Sequence, residues 1–190
     1  MGLPTRFSVG RRRLVNVALS TGRFVTRREI EKFMIARERQ LALMAEAIAE
    51  ARRGATEDEV PVGAVVIGAG AGAIVASAHN RPIALNDPTA HAEILAIRQA
   101  AAALGAYRLA GAALFVTLEP CVMCVGAMVQ ARIAELYFGA RDEKAGALGS
   151  MYDIGRDGRL NHRIEVYGGV MEPECAALLR DFFRSRRSSG

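Results

Sequence analysis

Two short segments of the sequence combine residue types and spacings that could bind a metal ion. His91 and Glu93 are separated by one residue, and Cys121 and Cys124 are separated by two. Residues three apart at the start of a helix lie on one side of its first turn, so both cysteine sulfurs can reach one ion. The partial positive charge of a helix N-terminus also favours the thiolate form that binds metal. We therefore expect Cys121 and Cys124 to be metal ligands.

The small number of other ligand candidates favours a catalytic metal site over a structural one. Structural zinc sites use four protein ligands, whereas catalytic sites leave one position for water. The chain has three Cys and three His, with no second Cys-x-x-Cys pair. Its third cysteine, Cys175, lies on an apolar helical face and is interpreted as core packing. The simplest ligand set is His91 with the two paired cysteines, and it leaves a position for water.

Glu93 can serve this site only if both segments lie at helix N-termini. Residues two apart point to different sides of a regular helix, but side chains of a first turn can reach forward together. Asp87-Pro88-Thr89 is typical of a helix start. Zinc lowers the pKa of a bound water toward about 7, and an unligated carboxylate beside it can move protons to a ring nitrogen and to departing ammonia. We therefore predict that Glu93 is the proton shuttle of a hydrolytic deamination.

Neither segment would be specific alone. A lone His-x-Glu is common, and a lone Cys-x-x-Cys could be a thioredoxin-like redox pair. Here the two segments lie 30 residues apart, each at a predicted helix start. The combination indicates a catalytic zinc site.

Positive charge is concentrated at the N-terminus. The formal net charge is +5, yet residues 1–28 hold seven Arg and no acidic residue, and the rest of the chain holds 18 basic and 20 acidic residues. A surface that binds nucleic acid would therefore have to be local. No apolar run approaches the roughly 20 residues of a membrane span, which predicts a protein with no membrane partner.

Residues 1–33 differ from the rest in composition, being rich in Arg, Ser and Thr. We interpret them as an extra N-terminal tail, either disordered or the result of a start site assigned too early, with Met34 as the true start. An Arg-rich leader with few acids is also typical of organellar targeting, and that alternative stays open. Residues 34–190 are predicted to form a single domain.

From Met34 onward, apolar residues alternate between helix and strand periods. Helical spacing predicts a helix from Met34 to Gly54, and residues 60–67 and 73–78 are predicted to form a hairpin. The other predicted elements are helices over 89–104, 120–131 and 173–187, strands over 113–118, 134–138 and 164–167, and loops over 80–89 and 139–161. This order indicates a three-layer α/β/α sandwich with a central five-stranded mixed sheet.

At these residues the sequence resembles the bacterial tRNA-specific adenosine deaminases of the cytidine deaminase-like superfamily. The likeness runs from about residue 34 to residue 187. It is carried by EVPVGA from Glu59, NRP from Asn80, DPTAHAE from Asp87, LEPCVMC from Leu118, FGARD from Phe138, NHR from Asn161 and DFFRSRR from Asp181.

The resemblance implies conversion of adenosine to inosine at the wobble position, 34, of a tRNA anticodon. It also implies a cytoplasmic homodimer with one Zn²⁺ per subunit and an anticodon stem-loop as partner. The site residues that it implies are the zinc ligands His91, Cys121 and Cys124, the proton shuttle Glu93, Asn80 as a hydrogen-bond partner of the flipped base, and Asp142 as a contact to the neighbouring nucleotide.

The C-terminal segment combines cations with aromatic rings. Arg184, Arg186 and Arg187, together with Phe183, suit phosphates and unstacked bases and are predicted RNA contacts. An amphipathic helix with Phe in the core and Arg in solvent would have the same composition, and the residues alone leave that alternative open.

Two other functions also stay open. A deaminase of a free base or nucleoside, such as cytosine or guanine, would share the zinc site and Glu93 but would not need the Arg-rich helix or the Asp142 contact. A non-catalytic, zinc-stabilised interaction module would have no use for an unligated carboxylate beside the metal.

Overall fold

The computed structural model describes residues 17–18, 24–25, 27–69, 73–154 and 158–188, with side chains between residues 37 and 187. The chain divides into two compact units, residues 1–39 and 40–190. In the first unit, β1 (Val17–Ala18) pairs antiparallel with β2 (Phe24–Val25), and helix α1 (Arg27–Thr56) begins. Most of the predicted tail lies outside the described residues, so the boundary after residue 33 stays a prediction.

The second unit contains the end of α1 and all the remaining elements. They are β3 (Gly63–Ile67), β4 (Ile74–His79), α2 (Pro82–Leu85), α3 (Ala92–Leu104), β5 (Ala113–Leu118), α4 (Val122–Ala131), β6 (Glu135–Ala140), β7 (Glu165–Tyr167) and α5 (Glu172–Ser188). No helix in the described ranges is both long enough and apolar enough to cross a membrane.

Strands β3 to β7 form one five-stranded mixed sheet in the order β4-β3-β5-β6-β7. The predicted hairpin is confirmed, since β3 pairs antiparallel with β4, and β3 is also antiparallel to β5. The pairs β5–β6 and β6–β7 are parallel and are connected through α4 and through the long segment after β6. This sheet confirms the predicted fold class.

Helices cover both faces of the sheet. On one face, Ile94 of α3 and Met128 of α4 pack in a cluster with Leu114 and other strand residues. On the other face, Met44 of α1 and Cys175 of α5 pack in a second cluster. Cys175 is only 1% exposed, as its apolar helical face predicts. The three predicted layers are therefore present.

The contact between α1 and the sheet is close enough to require a glycine. A Cβ atom added at Gly63 would lie 2.0 Å from the carbonyl oxygen of Ala47 and 2.5 Å from the backbone nitrogen of Ala51. Any larger residue at this position would push β3 away from α1. Gly63 therefore allows the strand that precedes the site to pack directly on the helix backbone.

Several element boundaries differ from the sequence prediction, those of α1, β3 and α2 most clearly. Helix α1 begins at Arg27 rather than at residue 34, since residues 27–33 contain neither Gly nor Pro to stop it. Strand β3 begins at Gly63 rather than at residue 60, because Pro61 cannot donate to a sheet ladder. The predicted loop 80–89 contains the one-turn helix α2, whose Pro82 stands at its first position.

Candidate metal centre

The candidate site lies at one edge of the sheet. Strands β4, β5 and β6 run in the same direction, since β3 is antiparallel to both β4 and β5 and β6 is parallel to β5. Their carboxyl ends therefore meet at one edge, where ligands bind in open α/β sheets. Asn80 directly follows β4, and Glu119 directly follows β5. Asp142 is the second residue after β6.

The predicted ligands stand at the N-termini of two helices. His91 is the N-cap of α3, with φ −71° and ψ 151°. Before it, the Asp87 carboxylate accepts the backbone N–H and the hydroxyl of Thr89, at 2.8 and 2.7 Å. This turn directs the chain into the helix.

Cys121 is the N-cap of α4, with φ −77° and ψ 173°. The prediction that Pro120 occupies the first turn of this helix is wrong, because the extended backbone of Cys121 delays the helix start to Val122. An extended N-cap directs its side chain ahead of the helix. Both helix starts therefore present a ligand to the same space.

Three donor atoms converge between these helix ends. The Nδ1 atom of His91 lies 3.8 Å from the Sγ atom of Cys121 and 3.5 Å from that of Cys124. The two sulfur atoms are 3.7 Å apart. Across the described part of the chain, this is the one group of three or more His, Cys, Asp or Glu residues whose ligand atoms lie within 4.8 Å of one another.

This spacing fits a tetrahedral zinc ion. With zinc–sulfur bonds of about 2.3 Å and zinc–nitrogen bonds of about 2.0 Å, tetrahedral angles require sulfur atoms about 3.8 Å apart and nitrogen about 3.5 Å from each sulfur. In the structure the two sulfur atoms are 3.7 Å apart, and the His91 nitrogen lies 3.8 and 3.5 Å from them. Three protein donors of this kind would hold one Zn²⁺ and would leave one coordination position for solvent.

The site favours negative charge on the sulfur of Cys121. The side-chain hydrogen bond between Cys121 and Cys124, with help from His91 and against the effect of burial, lowers the pKa of Cys121 to about 3. The same hydrogen bond, together with burial, raises the pKa of Cys124. The hydrogen bond with Cys121 also raises the pKa of His91, although burial opposes it. A thiolate in this position attracts a cation.

Glu93 lies in the first turn of α3 and is only 3% exposed. Burial raises the pKa of its carboxyl group and the Cys121 sulfur adds to the rise, whereas a backbone hydrogen bond, the imidazole of His91 and the Cys124 thiol oppose it. Glu93 is outside the group of three close ligand atoms. A buried carboxylate with a raised pKa beside a metal centre can both accept and return a proton.

A cavity of about 290 Å³ opens onto these residues. This volume lies just below the roughly 300–1,000 Å³ of most small-molecule pockets, which suits one base better than a larger ligand. The wall includes His91, Glu93, Cys121, Asn80 and Asp142, five of the predicted site residues. Cys124 is fully buried behind them.

Asn80 is fixed by the start of α3. Its Oδ1 atom accepts the backbone N–H of Ala92 at 2.9 Å, and its side chain is 8% exposed. The neighbouring backbone N–H of Arg81 donates to the carbonyl of Ala90 at 2.9 Å. Since the oxygen is used by the protein, the amide NH₂ is the group that Asn80 can offer to a base.

Sequence reasoning missed Glu119 as part of the site. The residue lines the same cavity and is 2% exposed. Burial raises the pKa of its carboxyl group, but hydrogen bonds from Ser150, Leu148 and Asp142 outweigh burial and lower that pKa. Its position directly before Pro120-Cys121 was the available signal, but its partners come from a loop more than 20 residues away.

A second and larger recess, of about 800 Å³, adjoins the first. The two share Val60, Leu118 and Asp142 as lining residues. Phe183 lines the larger recess and is 45% exposed, as its predicted contact with RNA requires. Its wall also contains Arg180 of the predicted cationic C-terminal segment. Sequence reasoning missed the other charged residues in the wall: Arg141, Glu143, Lys144 and Glu172.

The predicted arginine contacts lie on the exposed side of α5. Arg184 pairs with Asp181 at 2.7 Å. Arg186 pairs with Asp58 at 3.1 Å, and its guanidinium lies 4.7 Å from the ring centre of Phe182. Arg187 is exposed. These residues are outside the wall of both recesses, so their contact with RNA stays a prediction.

Comparison with known proteins agrees with this geometry. Residues 37–140 match the family described as the cytidine and deoxycytidylate deaminase zinc-binding region. The tRNA-specific adenosine deaminase of Bacillus subtilis (strain 168) is 46% identical over 144 residues, which are 76% of this chain and 88% of that protein.

Solved structures agree as well. A structure from studies of A-to-I editing by tRNA:A34 deaminases at the wobble position of transfer RNA has a TM-score of 0.70 and 47% identity, covering 73% of this chain and 99% of the other. A guanine deaminase from Nitrosomonas europaea has a TM-score of 0.64 and 29% identity, covering 75% of this chain and 83% of the other. The chain therefore belongs to the tRNA-specific adenosine deaminases, within the cytidine and deoxycytidylate deaminase zinc-binding family.

Proposed function

We propose that this protein converts adenosine 34 in the anticodon loop of a tRNA to inosine by zinc-dependent hydrolysis. The observation that carries the proposal is the convergence of the His91, Cys121 and Cys124 donor atoms within 4.8 Å at the foot of a cavity that Glu93 also lines. The identity of the substrate is inferred from the relatives named for tRNA adenosine deamination.

Glu93 moves the protons of the reaction. Its carboxylate accepts a proton from the attacking water as the water oxygen bonds to C6 of the adenine, and it delivers that proton to N1. The second water proton passes through Glu93 to the N6 amino group, the C6–N6 bond breaks, and ammonia leaves. Zn²⁺, when bound, supplies a lowered pKa for the water and stabilisation of developing negative charge. The balance is adenosine plus water giving inosine plus ammonia.

Asn80 and Asp142 orient the substrate in this proposal. The amide NH₂ of Asn80 donates to the edge of the extruded base, since the Oδ1 atom is held by Ala92. Asp142 lines both recesses and stands where a base in the smaller one would join its neighbour. A base in a loop must leave its stack to reach such a cavity.

The larger recess suits the flanking nucleotides. Lys144 and Arg180 offer positive charge there, and the exposed ring of Phe183 offers a stacking surface. Arg184, Arg186 and Arg187 extend the positive charge along α5 beyond the recess. We infer that these arginines contact phosphates at the edge of the RNA footprint rather than bases.

We also propose that two copies of the chain form a homodimer. Large apolar side chains are exposed on elements that border the cavity: Ile83 in α2, Val122 in α4, and Met151 and Tyr152 after β6, each between 47% and 62% exposed. Exposed large apolar side chains mark interaction surfaces where they lie together. Sedimentation equilibrium is expected to give twice the 20.4 kDa chain mass.

As tRNA is the proposed substrate, the cytoplasm is the proposed location.

Deamination of a free base is the rival function, because the guanine deaminase of Nitrosomonas europaea shares the fold at 29% identity. The test incubates the zinc-loaded protein with an anticodon stem-loop carrying adenosine 34 and, separately, with free adenosine, guanine and cytosine. Inosine in the stem-loop, with the free compounds unchanged, supports the proposal. Deamination of guanine or cytosine with an unchanged stem-loop would contradict it.

A further inference from the structure

The carboxylate of Glu119 is the hydrogen-bonding centre of one wall of the cavity. Its Oε1 atom accepts the backbone N–H groups of Leu148 and Ser150 at 2.9 and 3.1 Å. Its Oε2 atom accepts the backbone N–H of Asp142 at 3.3 Å and also the hydroxyl of Ser150. All four donors belong to residues 142–150, which we call the post-β6 loop.

A buried carboxylate is costly unless its oxygens are paired. Glu119 is 2% exposed, and the four bonds satisfy both of its oxygens. Three of the donors are backbone amides outside the named strands, and of these only Leu148 takes part in an isolated bridge, with Asp153. The carboxylate oxygens therefore accept hydrogen bonds from loop amides that would otherwise need backbone carbonyl partners.

Further contacts connect the loop to the metal-binding segment. Gly146 of the loop pairs with Cys121 in an isolated bridge, and the N–H of Ala147 donates to the carbonyl of Pro120 at 2.9 Å. A Cβ atom added at Gly146 would lie 2.6 Å from the carboxyl carbon of Glu119. The loop is thus packed directly on the residue that precedes Pro120-Cys121.

The loop also carries part of the substrate wall. Asp142 and Ala145 line the cavity together with Glu119. Within the loop, the Asp142 carboxylate accepts the N–H groups of Lys144 and Ala145 at 2.9 and 3.2 Å. Its direction is therefore set by the loop backbone, and the loop backbone is set by Glu119.

We propose that Glu119 is a positioning residue for substrate binding: it fixes the post-β6 loop against the metal-binding segment so that Asp142 faces the nucleotide beside the target adenosine. The inference rests on the proposed function, since a flanking nucleotide exists only in an RNA substrate. Glu119 takes no proton in the reaction, because Glu93 carries out the proton transfers.

Glu119→Gln tests this role with little change of volume. The new amide group places N–H donors against the loop donors, so the loop loses its fixed position. We expect the KM for the adenosine-34 stem-loop to rise about tenfold, the loss typical of hydrogen bonds to a charged group, with kcat and zinc content unchanged. Ser150→Ala removes one donor and is expected to raise the KM by about threefold. The double variant should match Glu119→Gln alone, because the two residues share the interaction.

Glu50→Gln is the matched control for loss of a buried carboxylate. Glu50 is 9% exposed and bonds with Arg53, Ser77 and His79, none of which belongs to the loop. The control is expected to lower the melting temperature without changing the KM. An unchanged KM in Glu119→Gln, or a loss confined to kcat, would overturn the proposal.

Hydrogen exchange gives a second readout that does not require activity. In Glu119→Gln, the amides of Leu148 and Ser150 are expected to exchange faster while those of α3 stay protected. Equal exchange in both proteins would overturn the proposal. Absence of inosine with the wild-type protein would instead count against the proposed function, which separates the two failures.

Discussion

The Nδ1 atom of His91 lies 3.5 Å from the Sγ atom of Cys124, although the two residues are 33 positions apart. The contact exists because α3 and α4 begin at the same edge of the sheet, after strands that run in the same direction. The fold thereby brings two helix N-termini, with their partial positive charge, to one point. The thiolate of Cys121 and a negative charge that develops on the substrate are both stabilised by that arrangement.

Glu93→Gln is expected to separate metal binding from chemistry. The amide has nearly the same shape but cannot accept a proton, so turnover of the adenosine-34 stem-loop should fall by about 10²–10⁴-fold. Zinc content, measured by mass spectrometry of the metal, should stay at one per chain, because Glu93 is outside the group of ligand atoms. Turnover close to that of the wild type would remove Glu93 from the mechanism.

Substitutions at Asn80 are expected to distinguish its two roles. Asn80→Asp keeps an oxygen for the N–H of Ala92 but loses the NH₂ group, so stability should be retained while kcat/KM for the stem-loop falls by about 10-fold or more. Asn80→Ala loses both groups and should also lower the melting temperature by a few degrees, as expected for about 1 kcal/mol. If Asn80→Asp is as active as the wild type, the amide does not contact the base.

Cys175 is expected to resist thiol reagents while the protein is folded. Burial raises the pKa of its thiol to about 12, so at pH 8 the group is almost fully protonated, and the thiolate is the reactive form. Iodoacetamide treatment at pH 8, followed by peptide mass spectrometry, should label Cys175 only after unfolding. Rapid labelling of Cys175 in the native protein would show that the interior around Cys175 opens readily.

The arginines of α5 are expected to contribute to RNA binding through phosphates. Changing Arg184, Arg186 and Arg187 together to Ala should weaken stem-loop binding and reduce the slope of log K against log salt by up to about 3. Arg163→Ala is the control. Arg163 precedes β7 and so lies at the amino ends of the parallel strands, away from the carboxyl ends where the site is. An unchanged salt slope in the triple variant would show that these arginines face solvent, and a changed slope in the control would show a nonspecific charge effect.

The parts of the site that sequence could predict depend on local rules. The spacing of Cys121 and Cys124, and the helix start before His91, are set within a few residues, so the metal centre was readable from the chain alone. The sheet followed from alternating apolar periods. Asn80, Asp142 and Glu93 line one cavity, while the roles that the family resemblance implies for Asn80 and Asp142 stay predictions.

The remaining features depend on contacts between distant segments. Glu119 carries no signal of its own, because its partners in the post-β6 loop are known only after folding. The charge of Arg186 suggested an RNA contact, but its pairing with Asp58, 128 positions earlier, could not be read from the sequence. The larger recess joins the end of β6 to α5, a junction that the parallel sheet creates.

X-ray absorption at the zinc edge of the purified, zinc-loaded protein counts the atoms bound to the metal and so tests whether the zinc site has one position open to solvent. We expect two sulfur neighbours at about 2.3 Å and two nitrogen or oxygen neighbours at about 2.0 Å, one from His91 and one from solvent. Cys121→Ser should reduce the sulfur count or abolish binding, whereas Cys175→Ser should leave the spectrum unchanged. A zinc ion with a fourth protein ligand in place of solvent, or a protein that binds no zinc, would rule out a catalytic zinc site formed by His91, Cys121 and Cys124.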